Sequence, residues 1–254
     1  MGRILTRYEK KKRRIRINGI FYAVISSASF GFSPLFSLGL IAAGLTDFDV
    51  LSYRWAIAAI VLMIYAACKK KTLRLNGFDE LWKIILLSIL RSITSFTLLL
   101  GYANIASGIA STINFMYPVV VALCMMMFFG ERKSPANIIS ILISIFGVYL
   151  LASGDGLRVE GGNTTLGLVC SIVSALSFGA YYIFMKITRA DKIEVVKFTT
   201  WIMMLSAVYF IICGLIFDGR ITFVTDWKLW LYIAGLGLWS TMVSNFTGVK
   251  AVRR

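Results

Sequence analysis

The sequence predicts an all-α integral membrane protein of about eight transmembrane helices, arranged as an inverted five-helix repeat with the second copy incomplete. Three observations predict it. Apolar residues make up 58% of the 254-residue chain and charged residues only 15%, well under the roughly 25% charge of a soluble domain. The apolar residues fall into eight stretches, and the chain resembles itself at an offset of 148 residues.

The stretches are Ile17–Leu45, Val50–Cys68, Ile84–Asn104, Ile109–Gly130, Ala136–Ser153, Thr165–Met185, Phe198–Phe217 and Leu229–Val249. At 1.5 Å per residue each is long enough to cross a hydrocarbon core of about 30 Å as a helix. The fifth, the shortest, follows Pro135, a good first-turn residue because its missing N–H has no helical partner anyway. Only Asn104–Gly108 separates the third and fourth, which predicts a tight helical hairpin. Pro34 and Pro118 each remove a backbone donor within a stretch and predict kinks in the first and fourth helices.

Charge sets the expected orientation. The net charge of +15 would suggest nucleic acid in a soluble protein, but here Lys and Arg lie in short segments between apolar runs, so no nucleic-acid partner is expected. The first 16 residues, a basic cytoplasmic segment, hold eight Lys/Arg. With the 2–3, 4–5 and 6–7 loops and the C-terminus, one side carries 22 Lys/Arg and the other only Arg158, Arg220 and Lys228. That asymmetry puts both termini in the cytoplasm and makes the lipid bilayer a partner of the whole chain. The first apolar run is too long for a signal peptide and should stay as an uncleaved helix.

In the repeat, Gly19–Phe36 lies over Gly167–Phe184, with Ser26/Ser174, Ser29/Ser177, Phe30/Phe178 and Gly31/Gly179 among the identities. Trp55 then lies over Trp201, and Gly101 over Gly248. A unit of five helices is odd, so the second copy enters the membrane from the opposite side. The units are residues 17–153 and an incomplete 165–254. Inverted repeats commonly hold a substrate site near the midplane between their halves.

The segment Tyr102-Ala103-Asn104-Ile105-Ala106-Ser107-Gly108-Ile109-Ala110-Ser111-Thr112, continuing through Met116-Tyr117-Pro118-Val119 to Gly130-Glu131-Arg132-Lys133-Ser134, is the most specific in the chain. It resembles the third and fourth helices of the EamA-type branch of the drug/metabolite transporter superfamily, and Arg54 matches an arginine common at the start of that family's second helix. The resemblance covers nearly the whole chain. It implies a fold of ten helices in two inverted repeats, and movement of small metabolites or drugs across a bacterial-type cytoplasmic membrane. One departure stands out: Val252 occupies the place of Ile105, and the family's last two helices are absent, so the chain is expected to be truncated. That leaves a small-molecule carrier as one reading. A non-transporting fragment or subunit, completed by a homodimer or a complementing chain, is the other. Serines such as Ser240 and Ser244 on the eighth stretch would then lack partners.

Candidate substrate contacts lie on helical faces. Ser26, Ser29, Ser33 and Ser37 form a stripe on the first helix, matched by Ser174, Ser177 and Tyr181 on the sixth. They read either as a polar cavity wall or as close packing between helices. Asn114 and Tyr117 beside Pro118 read either as cavity lining or as part of a kink that serves only packing, with lining favoured. Arg91, with Thr94, Ser95 and Tyr102 on roughly its side, has two readings: a guanidinium for a substrate carboxylate or phosphate, or a side chain snorkelling to the headgroups. Arg54 reads as a hairpin anchor at the outer face. A hydroxyl-lined cavity with one Arg would suit an amino acid.

The chain has no His and no Asp or Glu deep within a stretch, so no metal, cofactor or catalytic residue is expected, and an enzyme is disfavoured. The four cysteines are unpaired in spacing and suggest no disulfide framework.

Overall fold

The computed structural model describes residues 7–128 and 161–252, with Ile139, Leu142, Ile143, Phe146, Gly147, Tyr149, Leu150 and Val159 between them. Most of the fifth predicted helix, and the Gly130–Ser134 turn, lie outside the described residues. In chain order the helices are α1 (Arg7–Gly31), α2 (Ser33–Ala42), α3 (Asp47–Cys68), α4 (Phe78–Asn104), α5 (Ser107–Asn114), α6 (Tyr117–Phe128), α7 (Thr164–Ile187) and α8 (Val195–Phe217). A last helical run has three contiguous parts: α9 (Trp227–Ala234), a π-helical segment (Gly235–Val243) and α10 (Ser244–Val252). Six helices among the described residues are long and apolar enough to cross a membrane: Ile17–Ala42, α3, α4, Ser107–Phe128, α7 and α8.

Both predicted kinks are breaks. The first span is interrupted at Phe32, and Pro34 sits in the first turn of α2, where it costs no hydrogen bond. The fourth span breaks at Phe115 and Met116, ahead of Pro118 in the first turn of α6. A capping box starts α3: the Thr46 hydroxyl accepts from the Asp49 amide, and the Asp49 carboxylate accepts from the Thr46 amide. Asp49 also accepts from the Thr222 amide at 3.0 Å, which ties the loop before α9 to the start of α3.

The main helix pairs are α3 with α8, α4 with α7, and α1 with α10. Glycines let two of them approach closely. A Cβ on Gly167 would stand 2.6 Å from Ile105 Cγ2 and 3.2 Å from the Asn104 carbonyl carbon. One on Gly248 would stand 3.0 Å from Ser26 Oγ. Around α3 the core holds Trp55, Leu51, Leu62, Leu98, Met203 and Phe210, and Phe48 stacks between Phe96 and Phe217. At one end the loop before α4 is fastened to α8. Trp201 Nε1 donates to the Leu73 carbonyl, and Lys197 meets Glu80 at 2.6 Å with both side chains largely covered.

The expected bare polar face on the eighth stretch is corrected for Ser244, whose carbonyl accepts from Ser26 Oγ at 2.7 Å because α1 packs on that helix. Ser240 is wholly buried against α3, and its hydroxyl has no hydrogen-bond partner among the described residues, as expected.

Candidate substrate site

Four helices, α1, α6, α7 and α10, surround a cavity of about 690 Å³ whose wide part is lined by Ile20, Pro118, Val121, Met125, Ile183 and Lys186. Its walls are mostly apolar, and Lys186, paired with Asp191 at 3.3 Å, is the charged residue among them. At its deep end Ser26, Ser27, Tyr117 and Tyr182 also line a narrow recess with room for about one water molecule. Phe30, Arg91, Phe115, Phe178, Ser244 and Asn245 complete the recess.

Aromatic rings build the constriction. Tyr117 stacks on Tyr182 with centroids 5.1 Å apart, and Phe178 lies 4.4 Å from Tyr117 and 5.0 Å from Tyr182. Tyr181 stands edge-on to Tyr182 at 5.1 Å. Their sources explain the arrangement. Tyr117 sits where the fourth span breaks, so the break turns its ring toward α7. There Phe178, Tyr181 and Tyr182 follow one another around the helix.

Behind the rings lies Arg91, the middle residue of the 27-residue α4 and only 1% exposed. Its Nε donates to Asn245 Oδ1 at 2.9 Å, and its guanidinium carbon stands 4.4 Å from the Phe178 ring centre. The snorkelling reading fails on this geometry. Arg91 is enclosed by Phe30, Trp55 and Phe178, and its guanidinium is bonded sideways to Asn245 rather than extended toward the charged start of α4 at Asp79, Glu80 and Lys83. A central Arg costs about 2.5–3.5 kcal/mol to insert, and here that cost is met inside the protein rather than avoided at the headgroups.

The reading of Arg54 as an outer-face anchor is also corrected: it is 2% exposed, and its Nε donates to Thr241 Oγ1 at 2.6 Å. The π-helical segment positions that hydroxyl, which in turn donates to the Leu236 carbonyl five residues back. Asn245, one turn beyond Thr241, donates to the Thr241 carbonyl at 2.7 Å. One helix therefore supplies the partners of both arginines. Wide π turns of this kind recur at functional sites.

The remaining sequence candidates sit in helix interfaces rather than on the cavity wall. Asn114 is wholly buried and accepts from Ser174 Oγ at 2.8 Å, while Ser177 shares a 3.0 Å hydroxyl contact with Thr94. Ser29, Ser33 and Ser95 are buried as well, and the Ser33 hydroxyl has no partner among the described residues. Arg91 and Tyr117 line the recess, and Tyr181 backs it. Sequence reasoning did not single out Phe30, Asn245, Phe178 or Ser27. The matched S-x-x-S-F-G of the repeat was the available signal, since Phe30 and Phe178 are its two phenylalanines. Among the described residues no group of His, Cys, Asp and Glu could hold a metal ion.

The elements described are all helices, several of them of membrane length, and together they have the form of a multi-pass membrane protein. The profile of the EamA-like transporter family matches residues 17–153 and 165–254, and the chain belongs to that family. It is 29% identical over 177 residues to the uncharacterized transporter YvbV of Bacillus subtilis (strain 168), covering 68% of this chain and 52% of that one. It is 22% identical over 167 residues to the uncharacterized transporter YoaV of the same organism, covering 65% of this chain and 56% of that one. The chain thus spans about half the length of the curated relatives it matches. A crystal structure of a protein 14% identical in sequence superposes with a TM-score of 0.70 over 95% of this chain and 80% of that one, a likeness of fold alone.

Proposed function

We propose that the chain is a carrier of small metabolites or drugs, with eight crossings, both termini in the cytoplasm, and five helices of one repeat followed by three of an inverted second copy. The cavity carries this reading. Its mouth is formed by the start of α1 and the ends of α6, α7 and α10. All four adjoin segments on the Lys/Arg-rich side, so the cavity faces the cytoplasm and narrows onto Arg91 near mid-membrane.

The helix pairs support the repeat. A shift of 148 residues turns α4 against α7 into the last helical run against α1, and it turns α3 against α8 into itself with the partners exchanged. A pseudo-two-fold axis in the membrane plane does the same. The substrate-contacting set is Ser29, Ser33, Arg91, Ser95, Asn114, Tyr117, Ser177 and Tyr181, of which Arg91 and Tyr117 face the recess in this conformation. Buried hydroxyls such as Ser33 and Ser37, without partners among the described residues, suit a site that opens in another conformation.

The test is flux through proteoliposomes holding the purified full chain, with a panel of radiolabelled metabolites. Saturable uptake of at least one compound above protein-free vesicles is expected. Uptake indistinguishable from those vesicles for every compound contradicts the carrier reading. Repeating the assay at several protein-to-lipid ratios separates a carrier that works as one chain, with constant flux per chain, from one that needs a second copy.

A further inference from the structure

Arg54 and Arg91 are two buried cations sharing one aromatic wall. The guanidinium carbons of both stand within 6.0 Å of the ring centres of Phe30 and Trp55. Neither arginine forms an ion pair among the described residues. Each keeps one terminal nitrogen, Arg54 Nη2 and Arg91 Nη1, buried without a hydrogen-bond partner among those residues. Native proteins rarely leave a buried donor unpaired, and two like charges without a counter-ion are costlier still.

The aromatic cluster, taken alone, would suit a cationic cargo, because stacked Tyr and Phe faces attract cations. That place is already filled. Arg91 stands over Phe178 at 4.4 Å, so the protein's own cation occupies the ring face and presents positive charge to the recess. Among the described residues the wide cavity is lined by one charged side chain, Lys186, itself paired with Asp191, and by no acidic one, so the unpaired positive charge is that of the arginines. An α-amino acid would set its ammonium against the same guanidiniums, which argues against the zwitterion that a hydroxyl-lined site with one arginine suggested.

We infer that the cargo is an organic monoanion, a carboxylate on an apolar or aromatic body. This rests on the carrier reading above. The body lies along the apolar wall of Val121, Met125 and Ile183, and the carboxylate accepts from Arg91 Nη1. Arg54 stands behind Phe30, outside the lining of the recess, and adds positive potential without touching the ligand. The recess has room for about one water in this conformation, so docking the acid requires the Tyr117–Tyr182 stack to part.

The experiment is equilibrium binding of [14C]phenylacetate to the purified full chain, with phenylacetamide, phenylalanine, phenyltrimethylammonium and indole-3-acetate as competitors. Phenylacetate should bind saturably. Indole-3-acetate should compete, and the amide, the zwitterion and the cation should compete at least tenfold less well. Arg91→Gln should weaken phenylacetate binding on the order of 30-fold, the loss expected for a charge-assisted hydrogen bond. Arg91→Lys should weaken it less and keep the preference for acid over amide, even if Arg91→Gln folds poorly. Arg54→Gln should cost a few-fold, and Arg54→Lys less. Absence of phenylacetate binding, equal competition by the amide, or stronger competition by the ammonium overturns the anion proposal. Flux in proteoliposomes separates the two readings. Transport of a cation with no acid binding leaves the carrier and removes the anion site; acid binding without flux of any compound does the reverse.

Discussion

Gly167→Leu is expected to unfold the α4–α7 contact and to give the largest loss of stability of any single substitution considered. Even a Cβ at this position would stand 2.6 Å from Ile105 Cγ2, 3.0 Å from Asn104 Cβ and 3.2 Å from the Asn104 carbonyl carbon. The last of these is backbone at the turn between α4 and α5, held by the Asn163 amide donating to Asn104 Oδ1 at 3.0 Å, so it cannot step aside cheaply. Overpacking a filled interface costs about 1–3 kcal/mol, and a whole leucine should reach or exceed the upper figure. Gly167→Ala should cost about 1 kcal/mol or more. Gly108→Ala is the control, because nothing lies within 4 Å of a Cβ there. Thermal unfolding of the purified variants in detergent checks the order Leu, Ala, control. Equal melting temperatures would mean that the helices do not meet at Gly167.

Ser27→Trp is expected to abolish flux while leaving the fold intact. Ser27 is exposed and lines both the wide cavity and the recess, where those two spaces meet between α1 and the Tyr117–Tyr182 stack. An indole there fills the way to Arg91 without entering a packed interface. Its stability should fall within about 0.5 kcal/mol of the parent, as for other surface changes. Flux at the parent rate, or a large loss of stability, would place Ser27 elsewhere than on the cargo route.

How much of this was legible in the sequence depended on whether the deciding physics was local. Pro34 and Pro118 announced their breaks because a missing amide acts within one turn. The helix hairpin at Asn104–Gly108 was equally local, and the apolar stretches and the aromatic-flanked S-x-x-S-F-G could be read directly. The serine stripe was harder. Ser26 and Ser27 line the cavity, whereas Ser29, Ser33 and Ser37 pack against neighbours, and small residues serve packing and polar walls alike. Arg54 sits near the start of α3, which from sequence alone looks like a headgroup position. Its burial comes from Thr241, 187 residues away, on a helix whose π-helical turn carries no strict local signature. A mid-span amide such as Asn114 needs partners: its Oδ1 accepts from Ser174 on α7, while its Nδ2 is buried without one among the described residues.

The proposed cavity opens to the cytoplasmic side and leads to Arg91. Its most direct measurement is side-specific labelling of Ser27→Cys in a chain whose own cysteines, Cys68, Cys124, Cys170 and Cys213, have been replaced. A membrane-impermeant, sulfonate-bearing methanethiosulfonate should modify this position in inside-out vesicles and not in intact cells. Phenylacetate should slow the reaction. Modification from outside only, or from neither side, would contradict the account.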